Sequence, residues 1–303
     1  MAAIATGGSG NWSSTVNNTP WAGGVVPTDG DTVIINNTHT VTIDDSASAT
    51  ITVGANSATA AIEVKSGGKL EYLYTATVSH ILVLKGDFTI SSGGTLEIGT
   101  AANPIHYGHT FTIKLNAGGG DGVNGMLCNG TVTMQGAALT YDRALLSTDE
   151  DVNSTSWTTD VSTGWKDNDQ IAIATTSRTN TQCEKGALSA DASTTTLTVD
   201  GFGGAGGGLA YAHTGLGLML ADIINLTRNI VVTSDTTTNA GYVRVGTTAT
   251  VDIDWVEFSY LGTNATGKRG IEINTTTGTC SFNRCAVHTA EFGGFTVAAT
   301  GGN

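Results

Sequence analysis

Apolar and polar residues alternate along this chain in short runs, with no helical stripe. The runs at 32–36 (TVIIN), 41–44 (VTID), 50–53 (TITV), 61–65 (AIEVK), 80–84 (HILVL), 88–90 (FTI), 110–115 (TFTIKL) and 131–135 (TVTMQ) are closed by Gly, Asn, Asp or Ser. A period of two turns one set of side chains inward. Strands this short do not make stable hairpins, but stacked on copies of themselves they bury a continuous aliphatic core. The pattern therefore predicts an all-β solenoid rather than a sandwich. An internal repeat supports it: SGGKLEY at 66–72 recurs as SGGTLEI at 92–98, an interval that fits one long solenoid turn or two short ones.

The rhythm breaks in mid-chain, where two tryptophans (Trp157, Trp165), an acidic cluster, a strand-like IAIAT at 171–175 and a glycine loop at 201–208 (GFGGAGGG) occur. No helix pattern follows that loop, so it is not read as a phosphate cradle. Short runs return at 230–234, 241–245, 250–258, 270–274, 280–287 and 293–297. The expected organisation is a solenoid over 1–141, a loop-rich elaboration with short strands over 142–229, and a continued parallel β-helix over 230–303.

Composition agrees. Only 13% of residues are charged, and the chain has 41 Gly but 3 Pro, with Thr, Ser and Asn filling most polar positions. Thr and Val suit pleated strands, while Gly and Asn accept the positive φ of tight corners. The net charge of −13 excludes phosphate backbones and anionic membrane surfaces as partners. The first ten residues lack a basic segment and an apolar run, and no window is long and apolar enough to span a bilayer. A Met start without a secretory signal fits either a recombinant mature protein or a viral structural protein made in host cytoplasm, and the second is preferred. Cys128, Cys183, Cys280 and Cys285 make one Cys-x4-Cys pair, a poor zinc pattern; they are expected as small buried hydrophobes.

The best candidate metal loop is Asp149, Asp151, Asn153 and Asp160, which have the 1, 3, 5 and 12 spacing of calcium ligands, but Ser154 stands where Gly is usual. A weaker acidic cluster is Asp167-Asn168-Asp169. No other cofactor is implied. For acid–base chemistry two carboxylates must share a face, and Asp252 and Asp254, two apart on one strand, meet that condition. Glu257, Glu272, His288 and Glu291 are candidates to join them. His106 and His109 are a possible local metal pair. Trp12, Trp21, Trp157, Trp165 and Tyr211 are either sugar-stacking platforms or core and end-cap residues. The Asn-x-Ser/Thr triplets, Asn11, Asn36 and Asn264 among them, are what a Thr-rich chain produces by chance.

Residues 11–44, with GNWSS, Trp21, GVVPTDGDTVII and HTVTID, resemble the opening of the eight-glycine (G8) domain. The resemblance continues through AIEVKSGGKLEY and FTISSGGTLEIGTAANPI, which makes Gly30, Gly68, Gly94 and Gly99 candidate family glycines. It extends more loosely through GWKDNDQIAIATTS, Glu184, LAYAHTG and INLTRNIVVTS, which resemble the segment that follows the domain in hyaluronan-acting and cell-surface members. It implies a right-handed single-stranded parallel β-helix. Where animal relatives carry a Pro-Ile-His-Phe-His stretch, this chain has Arg269, Gly270, Ile271, Glu272 and Ile273, so activity that depends on those histidines does not carry over.

The sequence thus predicts a non-enzymatic structural or adhesive solenoid of a virus particle: a bacteriophage tail fibre, tailspike or decoration protein. Its expected location is the virion, and its expected partners are other virion subunits or itself and a cell-surface polysaccharide. The alternatives are a polysaccharide-degrading enzyme (glycoside hydrolase or lyase) or glycan-binding module, and a secreted bacterial adhesin.

Overall fold

The structure, a computed structural model, describes every residue except 1, 56–58, 218, 235–236, 275–276, 291–293 and 298–303. It divides into two compact units, Met1–Ala137 with Arg228–Asn303, and Ala138–Thr227.

The first unit is a right-handed parallel β-helix of three sheets, visited in turn by the chain. The first sheet stacks Ala3–Ala5, Thr32–Ile35, Ala60–Val64, Asp87–Ile90, Gly125–Cys128, Tyr242–Val245, Ile271–Ile273 and Phe295–Val297. The second stacks Gly10–Asn11, Thr40–Ile43, Lys69–Tyr72, Thr95–Ile98, Thr131–Gln135, Thr250–Asp254 and Cys280–Asn283. The third stacks Thr50–Val53, His80–Leu84, Phe111–Leu115, Ile230–Ser234, Val256–Ser259 and Ala286–His288. The two repeat copies lie one above the other, Leu70 on Leu96 and Glu71 on Glu97. The repeat is therefore one full turn of the solenoid. Its inward column Val41, Leu70, Leu96, Val132 and Val251 belongs to one continuous core.

Paired glycines at the repeated corners act in two ways. Gly67 and Gly93 take φ of +73° and +80° and stack beneath Thr38 at +65°, through Thr38 N–H to Gly67 O (3.0 Å) and Gly67 N–H to Gly93 O (2.7 Å). Gly68 and Gly94 are needed for space: a Cβ there would lie 2.7 Å from Ile35 O and 2.6 Å from Val64 O. Stacking Glu71 on Glu97 sets like charges side by side, an unfavourable pair. Lys69 offsets it by reaching Glu71 at 2.7 Å and Glu97 at 2.9 Å. Burial opposes the Lys69 charge, but the two carboxylates prevail and raise its pKa.

At the N-terminal end the core is closed by Trp12 and Trp21, 2% and 0% exposed, whose rings meet edge to face at 5.0 Å. Trp21 Nε1 donates to Trp12 O at 2.7 Å.

The second unit has six antiparallel strands in the order Arg143–Leu145, Asp222–Asn225, Gln170–Ile173, Glu184–Leu188, Thr196–Asp200, Ser156–Thr158. The two outer strands meet through a bridge from Leu146 to Thr159, with Ser147 N–H to Thr158 O at 2.8 Å and Asp160 N–H to Leu145 O at 3.0 Å. Backbone pairing therefore closes into a small barrel without open edges. Trp157, Trp165, Ile171, Leu188, Leu197 and Ile223 are among the residues of its separate core. The stretch expected as loop-rich thus carries a barrel whose strands are three to five residues long.

Candidate functional site

The acids singled out in the sequence stand at and beside the corner between the second and third sheets. Asp252 is exposed in the ladder between Thr133 and Ser281. Asp254, on the same face, pairs with Arg284, whose Nε lies 3.1 Å from its Oδ1 and whose Nη2 also reaches it. Glu257 lies past the corner on the third sheet, where its Oε1 accepts from His288 Nε2 at 3.0 Å and its Oε2 from Arg228 N–H at 3.3 Å. Glu272 is elsewhere, on the first sheet beside Arg244, buried and held by Asn274 at 3.4 Å. Glu291 lies outside the described residues.

The corner itself depends on residues that sequence reasoning did not single out. Trp255 and Arg284 take φ of +58° and +48° at stacked positions, turning the chain from the second sheet to the third within a residue or two. A bulky residue in this region is uncommon and must be held there by its surroundings. Two guanidinium groups lie over the Trp255 ring, Arg228 at 5.1 Å and Arg284 at 4.9 Å from its centroid. Asp254 and Glu257 are thereby engaged in a network of cations, indole and backbone that ties successive rungs together.

The metal candidates are directed at different parts of the second unit. Asp149 accepts from Gly215 and Leu216 N–H at 2.9 and 3.1 Å, Asn153 from Ala205 N–H at 2.6 Å, and Asp160 from Leu145 N–H at 2.8 Å. Asp151 is exposed. Asp169, of the second acidic cluster, accepts from Lys166 N–H at 2.9 Å and Asn225 Nδ2 at 2.8 Å. Among the described residues no group of three or more His, Cys, Asp or Glu converges as a metal site. His106 and His109 have ring centroids 5.8 Å apart, and His106 Nδ1 accepts from Gly108 N–H. Trp12, Trp21, Trp157 and Trp165 are all buried, so the sugar-platform reading of these four is corrected to core and end-cap roles; Tyr211 alone of that set is exposed.

The second unit also contains a buried pair. His213 Nε2 lies 3.0 Å from Glu184 Oε1, and His213 Nδ1 donates to Ala174 O at 3.1 Å. Glu184 further accepts from Ala210 and Tyr211 N–H at 2.7 and 3.0 Å. Ala174, Ala210, Tyr211 and His213 all belong to the second unit, so this arrangement holds the 209–214 segment on the barrel wall.

Two adjoining depressions lie on the early rungs of the same second-to-third-sheet corner. One, of about 370 Å3, is bounded by 12–13, 26–29, 46–48 and 50–52; the other, of about 340 Å3, by 42–46, Leu73, Thr75 and Ala76 together with Asn11, and Ser46 belongs to both. Their carboxylates serve as rung clamps. Asp44 accepts from Ser13 N–H and hydroxyl at 3.0 and 2.7 Å, and Asp29 meets Lys85 at 2.7 Å. Asp45 takes the N–H and hydroxyl of Thr77, and the Thr77 hydroxyl lowers its pKa below the ordinary carboxylate value.

Residues 20–146 match the G8 domain, across most of the first half of the chain, where the resemblance was read. No curated protein matches the chain. Among solved structures, the Gp54 tailspike of Acinetobacter baumannii bacteriophage AP22, in complex with A. baumannii capsular saccharide, is 13% identical over 71% of this chain and 32% of its own, with a TM-score of 0.25. The tailspike protein gp49 of Pseudomonas phage LKA1 is 13% identical over 69% of this chain and 31% of its own, with a TM-score of 0.26. This chain thus spans just under a third of either tailspike chain.

Proposed function

We propose that the chain is a non-enzymatic structural or adhesive β-solenoid that contacts glycan along its lateral surface. One observation carries the reading: Asp254 and Glu257, the carboxylates best placed for acid–base chemistry, are engaged in clamps between rungs through Arg284, His288 and Arg228 N–H. A glycosidase acid must give and take protons during turnover. A carboxylate held as the counter-ion of a guanidinium is better suited to fixing the corner. The ladders of Thr, Asp and Ser on the outer face of the second sheet, such as Thr133, Asp252 and Ser281, offer hydroxyl and carboxylate partners at the regular spacing of the rungs, which suits a long polymer.

The test is retention of polysaccharides by affinity electrophoresis, using wild type and the double variant D254N/E257Q. Equal retention supports the reading. Polysaccharide that wild type shortens and the variant leaves intact overturns it in favour of a degrading enzyme. The particle setting, a bacteriophage tail fibre, tailspike or decoration protein working beside other virion subunits, rests on the sequence expectation and has its own test. Antibodies against the chain label intact phage particles if the setting is right, and label only a bacterial surface if the chain is an adhesin.

A further inference from the structure

The two adjoining depressions on the early rungs have a lining that the function above leaves unused. Thr28, Ser46, Ser48 and Thr50 line the larger one and Thr75 the smaller, and all five are exposed. Between the hydroxyls lie apolar faces, Val26, Pro27 and Ala47 in one depression and Leu73 in the other. Hydroxyl rims around small apolar faces suit a sugar ring, which presents hydroxyls at its edge and C–H groups on its face.

Charge narrows the class. Asp29, Asp44 and Asp45 border the depressions, no Lys or Arg lines them, and Lys85 beside them is already paired with Asp29. With a net charge of −13 on the whole chain, a uronate or sulfated polymer is repelled from this surface. The strand Thr50–Val53 is the outer edge of the third sheet, which makes an extended peptide the competing occupant. Strand addition draws specificity from pockets for alternate side chains. The exposed residues on the larger wall are hydroxyl-bearing Thr28, Ser46, Ser48 and Thr50 together with Asp29, which Lys85 engages, and this run of hydroxyls favours sugar.

We infer that this double depression, with Ser46 at its waist, is a binding site for an uncharged oligosaccharide segment. The inference rests on the glycan-contacting reading above and assigns it a place and a chemical class.

The experiment titrates the full chain with neutral hexose oligomers, uronate oligomers, glucosamine oligomers and extended peptides, by calorimetry. Two groove-filling variants, Thr50→Tyr and Ser48→Trp, are compared with Thr198→Tyr at an exposed strand position of the second unit, and each is first shown to melt like wild type. The neutral oligomers are expected to bind, and each groove variant to weaken them at least about tenfold, a loss of about 1.4 kcal/mol, while Thr198→Tyr leaves them unchanged. Tighter binding of the uronate or glucosamine oligomers overturns the uncharged class, and tighter peptide binding overturns the sugar assignment. Neutral binding that neither groove variant weakens overturns the site but leaves the glycan reading standing. Binding of no oligosaccharide at all overturns both.

Discussion

Replacing Gly94 with alanine probes the stacking of the rungs directly. A Cβ at this position would lie 2.6 Å from Val64 O, 2.9 Å from Lys65 O and 3.1 Å from Ser91 O. None of the three can swing away as a side chain does. Val64 O accepts the Ser91 N–H at 2.9 Å and Ser91 O accepts the Gly94 N–H at 2.8 Å, so relieving the clash strains one bond between adjacent rungs and one that closes the corner. Overpacking costs about 1–3 kcal/mol, and backbone obstacles place this case at roughly 2–3 kcal/mol. For a unit of this size that lowers Tm by roughly 4–12 °C. Gly30→Ala is the control: its φ is +91° but nothing lies within 4 Å of the added Cβ, so only a backbone cost of roughly 1–2 kcal/mol applies. Urea unfolding of both variants beside wild type is the assay. A Gly94→Ala midpoint within about 0.5 kcal/mol of wild type would refute the description of repeat copies stacked at carbonyl distance.

Other measurements probe other parts of the account. Trp21→Ala removes the fully buried end cap and its bond to Trp12 O, and is expected to cost about 3–5 kcal/mol in urea unfolding, whereas a cost under about 1 kcal/mol contradicts the cap. Asp45 has its pKa depressed by the Thr77 hydroxyl, so its contribution to stability is present above the unfolded value of 3.8 and is lost as pH falls through the lower folded value. Thr77→Ala should therefore raise the Asp45 titration midpoint seen by NMR, and an unmoved midpoint removes the clamp. Burial pushes the Cys128 thiol up to about 12, while Cys183 is exposed. A maleimide should label Cys183 quickly in the native chain and Cys128 only after unfolding; quick labelling at Cys128 contradicts the packed core.

Much of the solenoid was legible in period-two runs. Those at 50–53, 80–84, 131–135 and 230–234 coincide with strands of the structure. The alternation was readable because one face meets a continuous core. The runs read as single strands at 250–258 and 280–287 are each broken, at Trp255 and at Arg284-Cys285. Neither corner was foreseen, because a positive φ at Trp or Arg has no signature in composition; it is imposed by the stacked rungs. The barrel strands at 143–145 and 156–158 were missed for a related reason: three residues do not establish a period, and their pairing comes from closure of the sheet. Among candidate residues, the sequence placed Asp252, Asp254, Glu257 and His288 in one region, and the structure brings the last three into a common network. It did not foresee their counter-ions. Arg284 and Asp254 are 30 positions apart in the chain, and only the coiling of the solenoid sets Arg284 against Asp254 and Trp255.

The central claim is that these carboxylates hold a scaffold together while the lateral surface binds sugar without cutting it. Its most direct test is the chain-length distribution of a bound polysaccharide, followed by size-exclusion chromatography over a long incubation with the purified chain. The account predicts that the polymer is retained and its length distribution does not change. Progressive shortening that disappears in D254N/E257Q would contradict it.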